Sequence, residues 1–117
     1  MKFTEVTFDG QPPVDAYGPG FFRVEDQPRD GALLLSAKGL AEWKGLDDPA
    51  PLLALADSYD ILFVGTGADI APLPPALRET LEEAGVAAEV MSSPSACRTY
   101  NILLSEGRRV AIAALPV

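Results

Sequence analysis

The sequence contains no histidine and a single cysteine, Cys97, in 117 residues. Without histidine there can be no Ser-His-Asp triad, no Cys-His dyad and no imidazole metal ligand. One cysteine permits no intramolecular disulfide, which agrees with a reducing compartment. A catalytic site would have to use carboxylates, tyrosine, lysine or the Cys97 thiol, and no motif marks any of these as reactive. We therefore expect neither a metal nor another cofactor.

Basic residues are also scarce, with 9 Lys and Arg against 17 Asp and Glu and a net charge of −8. Because nucleic acids and anionic membranes attract basic proteins, this balance predicts no nucleic-acid partner. No apolar run approaches the roughly 18 residues that span a bilayer, so we expect no direct membrane insertion. The first ten residues have neither a signal-peptide core nor an Arg-rich amphipathic pattern, which predicts a cytoplasmic protein.

The composition is that of an ordinary globular domain, with 48% hydrophobic and 22% charged residues. The length predicts one domain, residues 1–117, with one modest core. The front third is rich in strand patterns, which fall at residues 3–8, 21–24 and 31–35. Asp9-Gly10 predicts a turn, and the stretches 11–20 and 26–30 are predicted connections.

Strands and helices alternate from about residue 32 onward. Pro49 predicts the start of a short helix carrying Leu52, Leu55 and Ala56. Residues 61–64 are apolar on both faces, as in a strand at the centre of a sheet. Strands are also predicted at 86–91 and 109–115. This alternation predicts βαβ crossovers and an α/β sheet covered on both faces.

Two further helices are predicted between these strands. Pro74-Pro75 opens the first, which has Leu77 and Leu81 on one face and Gly85 as its C-cap. Ser93-Pro94 predicts the N-cap and first residue of the second, which continues over residues 96–105 and is closed by Gly107.

The loop after the strand at 61–64 has the first two glycines of a dinucleotide-binding fingerprint, Gly65 and Gly67. The third position is Ile70, and the prolines that follow delay the helix and remove N–H groups that would hold a phosphate. The sequence therefore favours a tight turn at the carboxyl end of a strand over a nucleotide site.

Polar residues also follow the predicted strand at 86–91. If this strand and the one at 61–64 are parallel neighbours, their loops line one crevice, in which serine hydroxyls and helix N–H groups could hold a carboxylate. The candidate pocket residues are Gly65, Thr66, Gly67, Ser92, Ser93, Ala96, Cys97, Arg98, Thr99 and Asn101. The structural alternative is favoured, in which Ser93 is a cap, Cys97 is a small buried residue and Asn101 holds a neighbouring loop.

An ordered set of motifs resembles a known family across nearly the whole chain, residues 3–117. The motifs are YGPGF at 17–21, Trp43, LFVGTG at 62–67, EVM at 89–91, ACRTYNIL at 96–103 and EGRRV at 106–110. They are similar to the Mth-type domain family of unknown function, whose mitochondrial member is the third assembly factor of NADH:ubiquinone oxidoreductase, complex I.

The resemblance implies a three-layer α/β domain with a mixed, partly parallel central sheet and an added N-terminal β element. It supplies no catalytic residues. Two hypotheses follow. The favoured one is a non-enzymatic interaction domain whose partner is a respiratory-complex subunit or assembly factor, and which has an exposed apolar or arginine-bearing patch. The alternative is a small-molecule binding protein or enzyme that uses the crevice described above.

Overall fold

The computed structural model describes residues 11–117, so the predicted strand at 3–8 and the Asp9-Gly10 turn lie outside it. Two β-sheets and several helices make up this part of the chain. In chain order the elements are β1 (Val14–Gly18), β2 (Phe21–Val24), β3 (Gln27–Asp30), β4 (Leu33–Ser36), β5 (Gly39–Leu40), α1 (Ala50–Ala54), a 3₁₀ turn (Ala56–Ser58), β6 (Ile61–Gly65), α2 (Pro75–Glu83), β7 (Ala88–Met91), α3 (Ser93–Ser105) and β8 (Val110–Ala114).

The first three strands form a small antiparallel sheet in the order β1-β2-β3. Only β2 was predicted, and the assignment of residues 11–20 and 26–30 as connections is wrong. β3 has no apolar side chain other than that of Pro28, which is tolerated because the strand lies at a sheet edge. The hairpin before it turns through Glu25 and Asp26, which both have positive φ angles where Asn-Gly is usual. A register shift between Val14 and Ala16 disrupts the alternation of β1.

The second sheet has the order β5-β4-β8-β6-β7. β6 lies between β8 and β7 and is parallel to both, which confirms the predicted central strand and its crossovers. β4 is antiparallel to β8, so the sheet is mixed. The carboxyl ends of β6, β7 and β8 therefore meet at one edge of the molecule.

Two hydrophobic clusters cover the two faces of this sheet. Leu62 and Val64 of β6 join the cluster that includes Leu77 and Leu81 of α2. Phe63, on the opposite face of β6, joins the cluster formed with α3 and the small sheet. Because successive β6 side chains point to opposite faces, the sheet forms a middle layer between α2 on one face and α3 with the small sheet on the other. The predicted three-layer α/β class is confirmed.

The helix boundaries agree with the sequence pattern except at two places. α2 begins at Pro75 and is followed by Gly85 at φ +75°, as predicted. α1 is only five residues long, so Leu55 and Ala56, which were predicted to lie on it, fall beyond its end. At α3 the predicted cap is wrong: Ser92 is the N-cap, and its Oγ accepts the Ser95 N–H at 3.3 Å. Ser93 is already helical, which leaves its hydroxyl available for other contacts.

Candidate functional site

The loops after β6 and β7 lie against each other, and a dense set of hydrogen bonds joins them. The Ser93 N–H donates to the Gly67 carbonyl at 2.7 Å, and the Gly67 N–H donates to Ser93 Oγ at 3.0 Å. Ser93 Oγ donates in turn to the Leu115 carbonyl at 2.6 Å, just beyond β8. The buried Ser93 side chain thus connects all three strand ends. We call residues 65–67, 91–93 and 114–115 the strand-end junction.

Gly65 allows this close approach because there is no space for a side chain at its position. A Cβ added there would lie 2.7 Å from Ser93 Oγ, 2.8 Å from Ser93 Cα and 3.1 Å from Ala114 Cβ. Real Cβ atoms essentially never show the first two distances, so the glycine permits β6 and α3 to touch. Gly67 has a φ angle of +106°, which favours glycine for conformational reasons. Both glycines therefore have structural roles.

Thr66 stabilises the loop that leaves the strand-end junction. Its N–H donates to the Met91 carbonyl at 3.0 Å. Its Oγ1 accepts the Ala71 N–H at 2.9 Å and lies 2.9 Å from the Asp69 carbonyl oxygen. The loop over residues 66–71 is held in one shape by these bonds.

The remaining candidate residues on α3 lie in different surroundings. Ala96 and Cys97 are buried in the cluster beneath the small sheet. Asn101 holds β1, since its Oδ1 accepts the Val14 N–H and its Nδ2 donates to the Val14 carbonyl, both at 2.8 Å. Arg98 is exposed and donates to Ser95 Oγ at 3.2 Å. Thr99 is half-buried. The structure therefore brings together Gly65, Thr66, Gly67, Ser92 and Ser93, but places Ala96 and Cys97 in the core and Asn101 against β1.

Burial makes the two most chemically reactive groups of α3 poor acids. Desolvation raises the pKa of the Cys97 thiol to about 11, although Arg98 opposes the shift. The pKa of the Tyr100 hydroxyl is raised by burial as well, and a hydrogen bond from Gln11 opposes that shift. At neutral pH both groups are protonated, which argues against a Cys97 nucleophile.

An apolar groove lies beside the strand-end junction, on the face of the sheet that α2 covers. Its volume is about 570 Å³, and Ile70, Leu73, Leu81, Val86, Ala88 and Val90 contribute most of its apolar walls. Ile70 stands at the rim with 65% of its surface exposed. Arg78 and Glu82 of α2 are its charged lining residues. The sequence pattern did not predict this groove, and its one signal in the sequence is an isoleucine, Ile70, between Asp69 and a proline-rich loop.

The part of the chain that the structure describes has neither a metal-binding cluster nor a membrane-spanning helix. Across residues 11–117, no three Cys, Asp or Glu side chains come together in a group that could hold a metal ion. None of the helices in this range is both long and apolar enough to cross a membrane.

Known proteins similar to this chain cover nearly all of it. An uncharacterised protein of Rhodobacter capsulatus is 53% identical over 117 residues, which are the whole of this chain and 94% of that protein. NADH dehydrogenase [ubiquinone] 1 alpha subcomplex assembly factor 3 of Danio rerio is 28% identical over 110 residues. That match covers 88% of this chain but only 63% of the zebrafish protein.

Solved structures share the fold. A crystal structure described as an outer membrane protein of Bartonella henselae has a TM-score of 0.84 and 34% identity, over 95% of this chain and 99% of that one. A Bordetella pertussis solution structure described as a Mth938-like domain has a TM-score of 0.76 and 29% identity, over 99% and 91% of the two chains. The model of the family described as "Protein of unknown function (DUF498/DUF598)" matches residues 14–115, and the chain therefore belongs to this family.

Proposed function

We propose that this chain is a non-enzymatic interaction domain that takes part in assembling a membrane-bound respiratory complex. The observation that carries the proposal is the similarity to complex I assembly factor 3, which extends over 88% of this chain. Because the match covers 88% of this chain, the shared region is far longer than a short motif.

The geometry of the site supports an interaction role over a catalytic one. The hydroxyl of Ser93 and the side chains of Thr66 and Asn101 are used in hydrogen bonds that hold the fold together. The Cys97 thiol is buried and protonated. What the surface offers instead is an apolar groove with an exposed isoleucine at its rim, a feature typical of protein interaction sites.

The proposed partner is a subunit of the respiratory complex, or another protein that assembles it, and the proposed location is the cytoplasm. The test is deletion of the gene in the organism from which this chain comes. We expect less assembled NADH:ubiquinone oxidoreductase in the membranes, and normal levels once the gene is restored. Succinate dehydrogenase activity in the same membranes is the control, and it should not change. An unchanged amount of the assembled complex would refute the proposal.

A further inference from the structure

The outer edge of β7 is open as far as residues 11–117 are concerned. β7 is the last strand of its sheet, and β6 is its neighbour on the inner side. The carbonyls of Ala87 and Met91 accept hydrogen bonds from the N–H groups of Leu62 in β6 and of Thr66 just after it. Since backbone groups alternate along a strand, the N–H and C=O groups of Ala88 and Val90 point to the outer edge. An open edge of this kind can pair with an added strand.

The same strand forms one wall of the apolar groove. Ala88 and Val90, together with Val86 just before the strand, line the groove at every second position. Ile70 also lines the groove. A strand added to the edge of β7 would therefore place alternate side chains over the groove, because its pleat would continue that of β7. We call the outer edge of β7 and the adjoining groove the β7 surface.

Three glutamates lie on the two elements that border the β7 surface. Glu82 and Glu83 are exposed at the carboxyl end of α2, and Glu89 is exposed on the face of β7 opposite Ala88 and Val90. Arg78 is the basic residue that lines the groove. The whole chain carries a net charge of −8, which adds to the local field. A basic segment would be attracted to this surface, and an acidic one would be repelled.

We propose that the β7 surface binds an extended segment of another protein, with apolar side chains at alternate positions and a net positive charge. The inference rests on the proposed function, since it gives that interaction domain a surface and a partner chemistry. The backbone groups of Ala88 and Val90 hold the segment as a new strand. The groove selects its apolar side chains, and Glu82, Glu83 and Glu89 select its charge.

Two glutamate substitutions make a matched pair for the test. Ile70→Glu places a carboxylate at the rim of the groove, where Ile70 is 65% exposed. Ile102→Glu makes the same change on α3, where Ile102 is 57% exposed and lies outside the groove. Because both side chains are largely in solvent, both variants should fold, which unchanged circular dichroism and thermal melting would verify.

The binding chemistry is tested with two synthetic peptides, Lys-Val-Thr-Val-Lys and Glu-Val-Thr-Val-Glu, titrated into the full chain labelled with ¹⁵N. We expect the lysine peptide to shift the amide resonances of Ala88 and Val90 in a saturable way and to slow their hydrogen exchange. The glutamate peptide, and the lysine peptide with Ile70→Glu, should bind at least tenfold more weakly, and Ile102→Glu should bind like the unmodified chain. Equal affinity for the two peptides, or shifts elsewhere only, would overturn the proposal.

The deletion strain separates this proposal from the proposed function. If loss of the gene lowers the assembled complex and Ile70→Glu restores it as well as Ile102→Glu does, the β7 surface proposal fails and the assembly role stands. If loss of the gene has no effect, the assembly role fails, and the peptide titration alone decides on the surface. Analytical ultracentrifugation of the purified chain tests whether a second copy of this chain binds the β7 surface instead. A dimer that Ile70→Glu converts to a monomer would overturn the proposed heterologous segment.

Discussion

Replacement of Gly65 by alanine tests the reasoning about the strand-end junction most sharply. The new Cβ would lie 2.7 Å from Ser93 Oγ and 2.8 Å from Ser93 Cα, so the start of α3 must move away from β6. Overpacking of this kind costs about 1–3 kcal/mol, and weakening the bond between the Gly67 N–H and Ser93 adds about 1 kcal/mol. We expect Gly65→Ala to lower the free energy of unfolding by about 2–4 kcal/mol. In a domain of this size the melting temperature would fall by roughly 8–16 °C.

The assay is urea unfolding, monitored by the fluorescence of Trp43. This residue is the only tryptophan, and only 5% of its surface is exposed. Gly85→Ala is the control. Gly85 has a φ angle of +75° and no neighbouring atom within 4 Å of an added Cβ, so it tests backbone strain without a clash. That variant should lose only about 1–2 kcal/mol. If Gly65→Ala is as stable as the unmodified chain, the close contact between β6 and α3 is not what requires glycine.

Three further predictions concern buried polar and ionisable groups. Ser93→Ala should lower the free energy of unfolding by about 2–4 kcal/mol, because it leaves the Gly67 N–H and the Leu115 carbonyl without their partner. Ser92→Ala should lower it by only about 1 kcal/mol, since only a helix cap is lost. Urea titrations of the two variants check this difference. Stability should decline as pH rises from about 9 to about 11, because the thiol of Cys97 ionises more readily in the unfolded chain than in the folded one. Unfolding titrations across this pH range should show a smaller decline for Cys97→Ala than for the unmodified chain. Nucleotides and flavins should leave the melting temperature unchanged in thermal-shift assays, because the polar groups of the strand-end junction already form hydrogen bonds within the chain. A bound ligand at a hundred times its dissociation constant would stabilise the fold by about 2.7 kcal/mol, and a shift of that size would contradict the prediction.

The sequence predicted well those elements whose own pattern determines them. β6 is apolar on both faces, and α2 has a proline at its start, a leucine stripe and a glycine after its end, so local information was sufficient. β1 and β3 could not be predicted because they depend on pairing with β2, and their exposed side chains carry no strand pattern. The hairpin was hidden because its turn has Glu25 and Asp26 at positive φ angles, where Asn-Gly is the usual signal.

The meeting of the two loops at the strand-end junction followed from parallel pairing of β6 and β7, which the structure confirms. That Ser93 bonds Gly67 and Leu115, rather than capping its own helix, depends on distances of 3.0 Å and 2.6 Å between distant parts of the chain. Sequence patterns carry no such distances. The groove was beyond prediction for a similar reason, because its walls come from a loop, α2 and β7.

The most direct test of the interaction role is the amount of assembled NADH:ubiquinone oxidoreductase, measured on native gels of membranes from the deletion strain. We expect a reduced amount without the gene, recovery with the unmodified chain or Ile102→Glu, and little recovery with Ile70→Glu. An undiminished complex in the deletion strain would contradict the interaction role.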